Sequence, residues 1–175
     1  MATPIVVTFV GHDRPGLVNA ISDKVAASGG SWLESRLARL AGEFAGIVLV
    51  SVPDSNIAGL TAALHELEAA GLRVAVQRSS RAETPTSHKT VELELIGIDR
   101  PGIVRDVTQA LTQLAINIEE FSSSVEAAPF SGAEMFRAAA RLRVPDSLAN
   151  DDLRKTLERL AGEIMVDLTV SANES

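Results

Sequence analysis

Apolar residues recur in two rhythms along this chain. Val91, Leu93 and Leu95 alternate with Glu92 and Glu94, and Phe136, Ala138, Ala140 and Leu142 alternate with Arg137, Arg141 and Arg143. A period of two is what a strand with one buried face requires. Ile103, Val104, Val107, Leu111 and Leu114 instead recur at three- and four-residue spacing, as do Leu17, Val18, Ile21 and Val25. That spacing predicts amphipathic helices. Short β-branched runs predict strands over 5–10 and 91–96, each followed by one of these helices. Strand pairs follow at 32–40 with 44–52 and at 118–125 with 135–144. A second helix carries Leu60, Leu64 and Leu67, or Leu153, Leu157 and Leu160, and a last strand lies at 72–77 or 164–170. The order is βαββαβ, twice.

The duplication is also literal. FVGHDRPGLV at 9–18 returns as LIGIDRPGIV at 95–104, 86 residues on, and VPDS at 52–55 returns at 144–147, 92 residues on. The second copy therefore holds six extra residues, placed most simply at 127–132 as a longer hairpin loop. Between the copies runs RSSRAETPTSHK, polar, interrupted by proline and without periodicity. The expected organisation is one domain over 1–79, a linker over 80–89 and a second domain over 90–175. Each βαββαβ unit predicts a ferredoxin-like α+β fold, an antiparallel four-stranded sheet with both helices on one face.

The uncovered sheet faces then differ. In copy two the first and third strands lie side by side, so the outward Glu92 and Glu94 are expected to face Arg137, Arg141 and Arg143 on a wet surface. In copy one Val6 and Val10 alternate with Ile5, Val7 and Phe9, and 47–50 is apolar throughout, so both faces look apolar. Another surface, such as a second subunit, is expected to cover the outer one, which makes the protein a homo-oligomer.

Composition narrows the chemistry. Of 175 residues, 46% are apolar and 22% charged, a globular balance. With no cysteine there is no disulfide, thiolate nucleophile or thiolate metal site, which suits a reducing cytoplasm. The N-terminus has no basic region and no apolar stretch long enough for a bilayer, so neither export nor membrane insertion is expected. The 16 Lys and Arg against 23 Asp and Glu give a net charge of −7, opposite to what phosphate neutralisation needs. Direct nucleic-acid contact is therefore not expected. The three histidines show no metal-ligand spacing, and no nucleophile elbow supports a Ser-His-Asp triad. No catalytic residue, metal site or cofactor is expected.

The candidate chemistry lies in the repeated strand-to-helix junction. The first N–H groups of a helix lack intrahelical partners and carry partial positive charge, so they can receive a carboxylate. Gly16 or Gly102 lets a ligand approach the backbone, while Asp13 or Asp99 can cap the helix or turn toward a ligand ammonium. Pro15 and Pro101 suit the first helical turn. The same motif can also serve only as a tight turn.

Asp-Arg-Pro-Gly-Leu/Ile-Val between an apolar strand and an amphipathic helix resembles the ACT domain, a regulatory module that binds amino acids. The likeness spans nearly the whole chain as two modules. With SGGSWLESRLARLAGEF at 28–44 it extends to the tandem-ACT family of glycine cleavage system transcriptional repressors. This resemblance implies a sensor whose ligand, glycine or another small amino acid, sits where one module's loop faces another module. The implied contacts are Asp13, Arg14, Pro15, Gly16 and Leu17, with Asp99, Arg100, Pro101, Gly102 and Ile103. The family often places Asn at the start of the second strand, here Asn117, with Ser31 as its counterpart in copy one. The implied partner is a transcriptional activator, and no DNA is bound directly. An alternative is a regulatory subunit that allosterically tunes an amino-acid metabolic enzyme.

Overall fold

The computed structural model describes residues 1–79, 88–128, 132–164 and 166–172. The chain divides into two compact units, Met1–Ala82 and Glu83–Ser175. Most of the expected linker lies outside the described residues, and its last two, His88 and Lys89, already belong to a strand.

The first unit runs β1 (Ala2–His12), α1 (Leu17–Ala27), β2 (Ser31–Leu40), β3 (Glu43–Pro53), α2 (Ile57–His65) and β4 (Leu72–Arg78). The second runs β5 (His88–Ile98), α3 (Ile103–Gln113), β6 (Asn117–Ala127), β7 (Glu134–Pro145), α4 (Asn150–Ile164) and β8 (Val166–Ala172). Each sheet is antiparallel with the first strand central, in the orders β2-β3-β1-β4 and β6-β7-β5-β8. This is the ferredoxin-like arrangement. Because α4 extends through Ile164, the last strand opens at Val166, two residues later than the apolar pattern predicts. In the first unit Leu67 sits in a 3₁₀ turn (Glu66–Ala70) that extends α2 and packs on the core.

The inserted residues fall in the second hairpin. β6 and β7 have 11 and 12 residues against 10 and 11 in β2 and β3, and the loop takes the remainder. Ala128 N–H donates to Ala133 O at 2.8 Å to close that loop, whose residues 129–131 lie outside the described set.

Each unit buries its own core. Ile5, Val7, Phe9, Leu17, Ile21, Val25, Val48, Val50, Leu60 and Leu64 fill the first. Val91, Leu93, Leu95, Ile103, Val107, Leu111, Leu142, Leu153 and Leu157 fill the second. The period-two and helical stripes thus converge between sheet and helices, as alternation requires.

The outer faces follow from register. In the second unit the outward row contains Glu92 opposite Arg141 and Glu94 opposite Ala139. The arginines, however, form their described ion pairs with β6: Arg141 with Glu120, Arg143 with Glu119 at 2.9 Å and Arg137 with Glu126 at 3.9 Å. Glu92 thus faces Arg141 as expected and Glu94 faces Ala139, but the described ion pairs form with β6, which flanks β7 on its other side and brings its own glutamates into reach. In the first unit the outward positions are Val6, Thr8 and Val10 on β1 against Leu49, Ile47 and Ala45 on β3. Ile47 is 48% exposed.

Candidate functional site

The two Asp-Arg-Pro-Gly loops have the same backbone. Gly16 and Gly102 each occupy the N-cap position of their helix in the left-handed region, with φ of 91° and 87°. Neither cap is closed by a side-chain hydrogen bond. A residue with a Cβ resists this conformation, which gives the motif's glycine its physical reason. The expectation that Asp13 or Asp99 caps the helix is corrected. The left-handed glycine is itself the cap, and it leaves the aspartate three residues upstream, at the strand end. There the Asp13 N–H donates to Gly42 O and the Asp99 N–H to Glu134 O, both at 2.8 Å.

Leu17 and Ile103 are core residues, 5% and 3% exposed, so only their backbone is available to a ligand. Pro15 and Pro101 lie in the turn outside the helix. Position 16 is open: a Cβ there would find no atom within 4 Å.

The side chains around the loops differ. Arg39 reaches from β2 and donates from Nε to the Asp13 carboxylate at 2.6 Å. Arg14 donates to Ala70 O at 2.6 Å, tying the loop to the turn after α2. In the second unit Arg39 is replaced by Val125, counting back 86 residues, and no described ion pair holds Asp99. Instead Arg100 donates to Asp106 at 2.9 Å and Arg105 donates to the same carboxylate at 3.0 Å. Asp106 stands in the first turn of α3, where the first unit has Ala20. The Arg100 hydrogen bond, followed by that from Arg105, holds the Asp106 carboxyl below its ordinary pKa. Arg105 also lies over the loop, 3.4 Å from where a Cβ on Gly102 would stand. The first loop is open and the second is covered by a guanidinium.

Ser31 and Asn117 are not brought to these loops within either unit. Ser31 pairs with Ser51, which pairs with Pro4, eight residues before the end of β1. At a strand rise of about 3.3 Å per residue, that is roughly 25 Å from the loop. Asn117 stands at the same far end of its own sheet, level with Arg143 and Thr90. Both are exposed.

Arg39 is a loop-contacting residue with no local sequence signature, because its partner Asp13 lies 26 positions away and only the strand pairing brings the two together. Trp32 packs against the first core. His12 lies exposed near Glu43, at 3.7 Å. Among the described residues there is no cluster able to hold a metal ion, and no helix is long and apolar enough to cross a membrane.

Residues 3–77 match the ACT domain family. Over 164 residues, 91% of this chain and 85% of the relative, the sequence is 26% identical to the glycine cleavage system transcriptional repressor of Escherichia coli (strain K12). A crystal structure of an unknown protein from Galdieria sulphuraria superposes with a TM-score of 0.88 at 30% identity, covering 99% of this chain and all of that one. A crystal structure assigned to a glycine cleavage system transcriptional repressor gives a TM-score of 0.75 at 26% identity, covering 100% of this chain and 99% of that one.

Proposed function

We propose that this chain, whose residues 3–77 match the ACT domain family and which resembles the glycine cleavage system transcriptional repressors over most of its length, is a tandem ACT-domain protein acting as a non-catalytic, amino-acid-sensing regulator of transcription. Its ligand is glycine or another small amino acid, and its output passes through a protein partner, a transcriptional activator, in the cytoplasm. The observation that carries this reading is the open first loop. Gly16 in the left-handed region presents the N-terminus of α1 with no side-chain cap, free space around it and no acidic residue in the first turn. Such amides and their dipole receive a carboxylate.

The far-end position of Asn117 adds a condition. A site that uses both an Asp-Arg-Pro-Gly loop and an Asn117 amide must draw them from different modules, because one unit holds them at opposite ends of its sheet. This agrees with an oligomer, and the apolar outer face of the first sheet is the surface we assign to self-association.

Ligand and partner are thermodynamically coupled in this mechanism, so each alters the other's affinity by the same factor. A thermal-shift screen of the common amino acids identifies the ligand, since binding to the native state raises its stability. Capture of partners from extract with and without glycine then tests the coupling. A transcription factor retained in a glycine-dependent manner is expected; retention indifferent to every amino acid refutes the mechanism. Asn117→Ala, an exposed substitution, is expected to weaken amino-acid binding while leaving the melting temperature within the range of surface changes.

A further inference from the structure

The outer face of the second sheet carries a trough that is separate from either loop. It is a shallow hollow, open to solvent, of about 390 Å³. Glu94 and Ile96 of β5, Arg137 and Ala139 of β7, and Ser122 and Ser124 of β6 line it. Register explains the hollow. Glu94, Ala139 and Ser122 form one row across three strands, and Ile96, Arg137 and Ser124 form the next. Ala139 is the short floor between Arg137 and Arg141, and the first unit fills the equivalent position, 92 residues earlier, with Ile47.

The lining has one anion and one cation, and both are available. Arg143 and Arg141 are engaged by Glu119 and Glu120. Arg137 has only a loose contact with Glu126, at 3.9 Å. Glu94 is exposed and, among the described residues, makes no hydrogen bond or ion pair. Ser124 donates to Glu126 at 3.2 Å, whereas the Ser122 hydroxyl stands in the same row as Glu94. A free carboxylate near a lightly held guanidinium, across a small apolar floor with a hydroxyl beside it, matches a ligand that carries an ammonium and a carboxylate on one carbon. A simple anion would meet Glu94, and a simple cation would meet Arg137.

We propose that this trough is a second ligand site, specific for a small zwitterion of amino-acid type, with Arg137 receiving the carboxylate and Glu94 the ammonium. It is independent of the strand-to-helix loops and is carried by the second unit alone.

Amide spectra of the full chain, titrated separately with glycine, serine, acetate and glycinamide, test it. Glycine or serine is expected to shift the signals of Ser122, Ser124 and Ala139, while acetate and glycinamide, each lacking one charge, leave them in place. Glu94→Gln and Arg137→Gln, both at exposed positions, are each expected to weaken that binding by roughly tenfold or more, the scale of one charge-assisted hydrogen bond. Signals that stay fixed with all four probes overturn the site. So does a response to acetate equal to that to glycine, or an unchanged affinity in well-folded Glu94→Gln. Amides of Gly16, Leu17, Gly102 and Ile103 report the loops in the same spectra, so failure here is distinguishable from failure of the loop reading.

Discussion

At the level of single residues the two copies solve one packing problem in opposite ways. Phe9 and Leu37 crowd Gly46, where a Cβ would stand 2.7 Å from Phe9 Cζ. The second unit has Leu95, Ser123 and Ala138 at the corresponding positions, a smaller group around a larger floor. Gly46→Ala is therefore expected to destabilise the first unit by about 1–3 kcal/mol through overpacking. Adding Phe9→Leu should recover much of that loss, a non-additivity that urea unfolding of the single and double variants would expose. Charge gives a second case. Asp106 has a lowered pKa, chiefly from Arg100 and then Arg105. A carboxyl whose folded pKa lies below its unfolded value stabilises above that unfolded value, ordinarily 3.8, and the contribution disappears as pH falls through the lowered midpoint. Arg100→Gln should move the Asp106 titration, followed by carboxyl-carbon resonance, upward toward 3.8. A midpoint that does not move would remove Arg100 as the main cause.

At the level of elements, most of the fold was legible because period and punctuation agreed. Alternation at Val91, Leu93 and Leu95 and the stripe Ile103, Val107 and Leu111 each put their apolar side chains into the same core. Boundaries were less legible where two signals overlapped. Ile164 continues the apolar run of the last strand in sequence, yet the backbone remains helical through it. The helix starts show the same limit, since Asp is a good cap in general but a left-handed Gly between it and the helix takes that position. The β2–β3 turn shows a conformation that composition did not announce. Ala41 and Gly42 both have positive φ, 50° and 84°, the pattern of a type I′ turn, and alanine suits its position poorly. Ala41→Asn should raise stability by about 0.5–1 kcal/mol, read as a higher urea midpoint at unchanged slope. A drop in midpoint would mean that the turn relaxes from this geometry in solution.

At the level of the whole molecule, the duplication conserves a scaffold while the surfaces diverge. The repeated motif made both loops legible as backbone devices, but it could not distinguish them. The Arg39–Asp13 pair depends on where β2 falls beside the loop, and the Arg105 cover depends on a first-turn aspartate that the first copy lacks. Neither contact has a local sequence signature. Asn117 and Ser31 were recognisable as counterparts, but only sheet register reveals their distance from the loops of their own units. The outer faces were readable from alternation, and they diverge most. The second unit's face is charged and solvated, with Arg141 and Arg143 paired to glutamates of β6, so an added lysine there stays in water whether or not the copies meet. The first unit's face centres on Ile47, Leu49, Val6 and Val10, and an apolar patch of this kind marks an interaction surface. If a second copy covers it, a lysine at its centre must be desolvated without a partner when the copies meet, a cost of several kcal/mol. The full chain should then sediment above its 18.5 kDa monomer mass, and Ile47→Lys should return it to that mass with its circular dichroism unchanged. Ala139→Lys, the matching change on the charged face, should leave the mass as it was. A monomeric parent chain, or an Ile47→Lys variant that associates as before, would separate the apolar face from self-association.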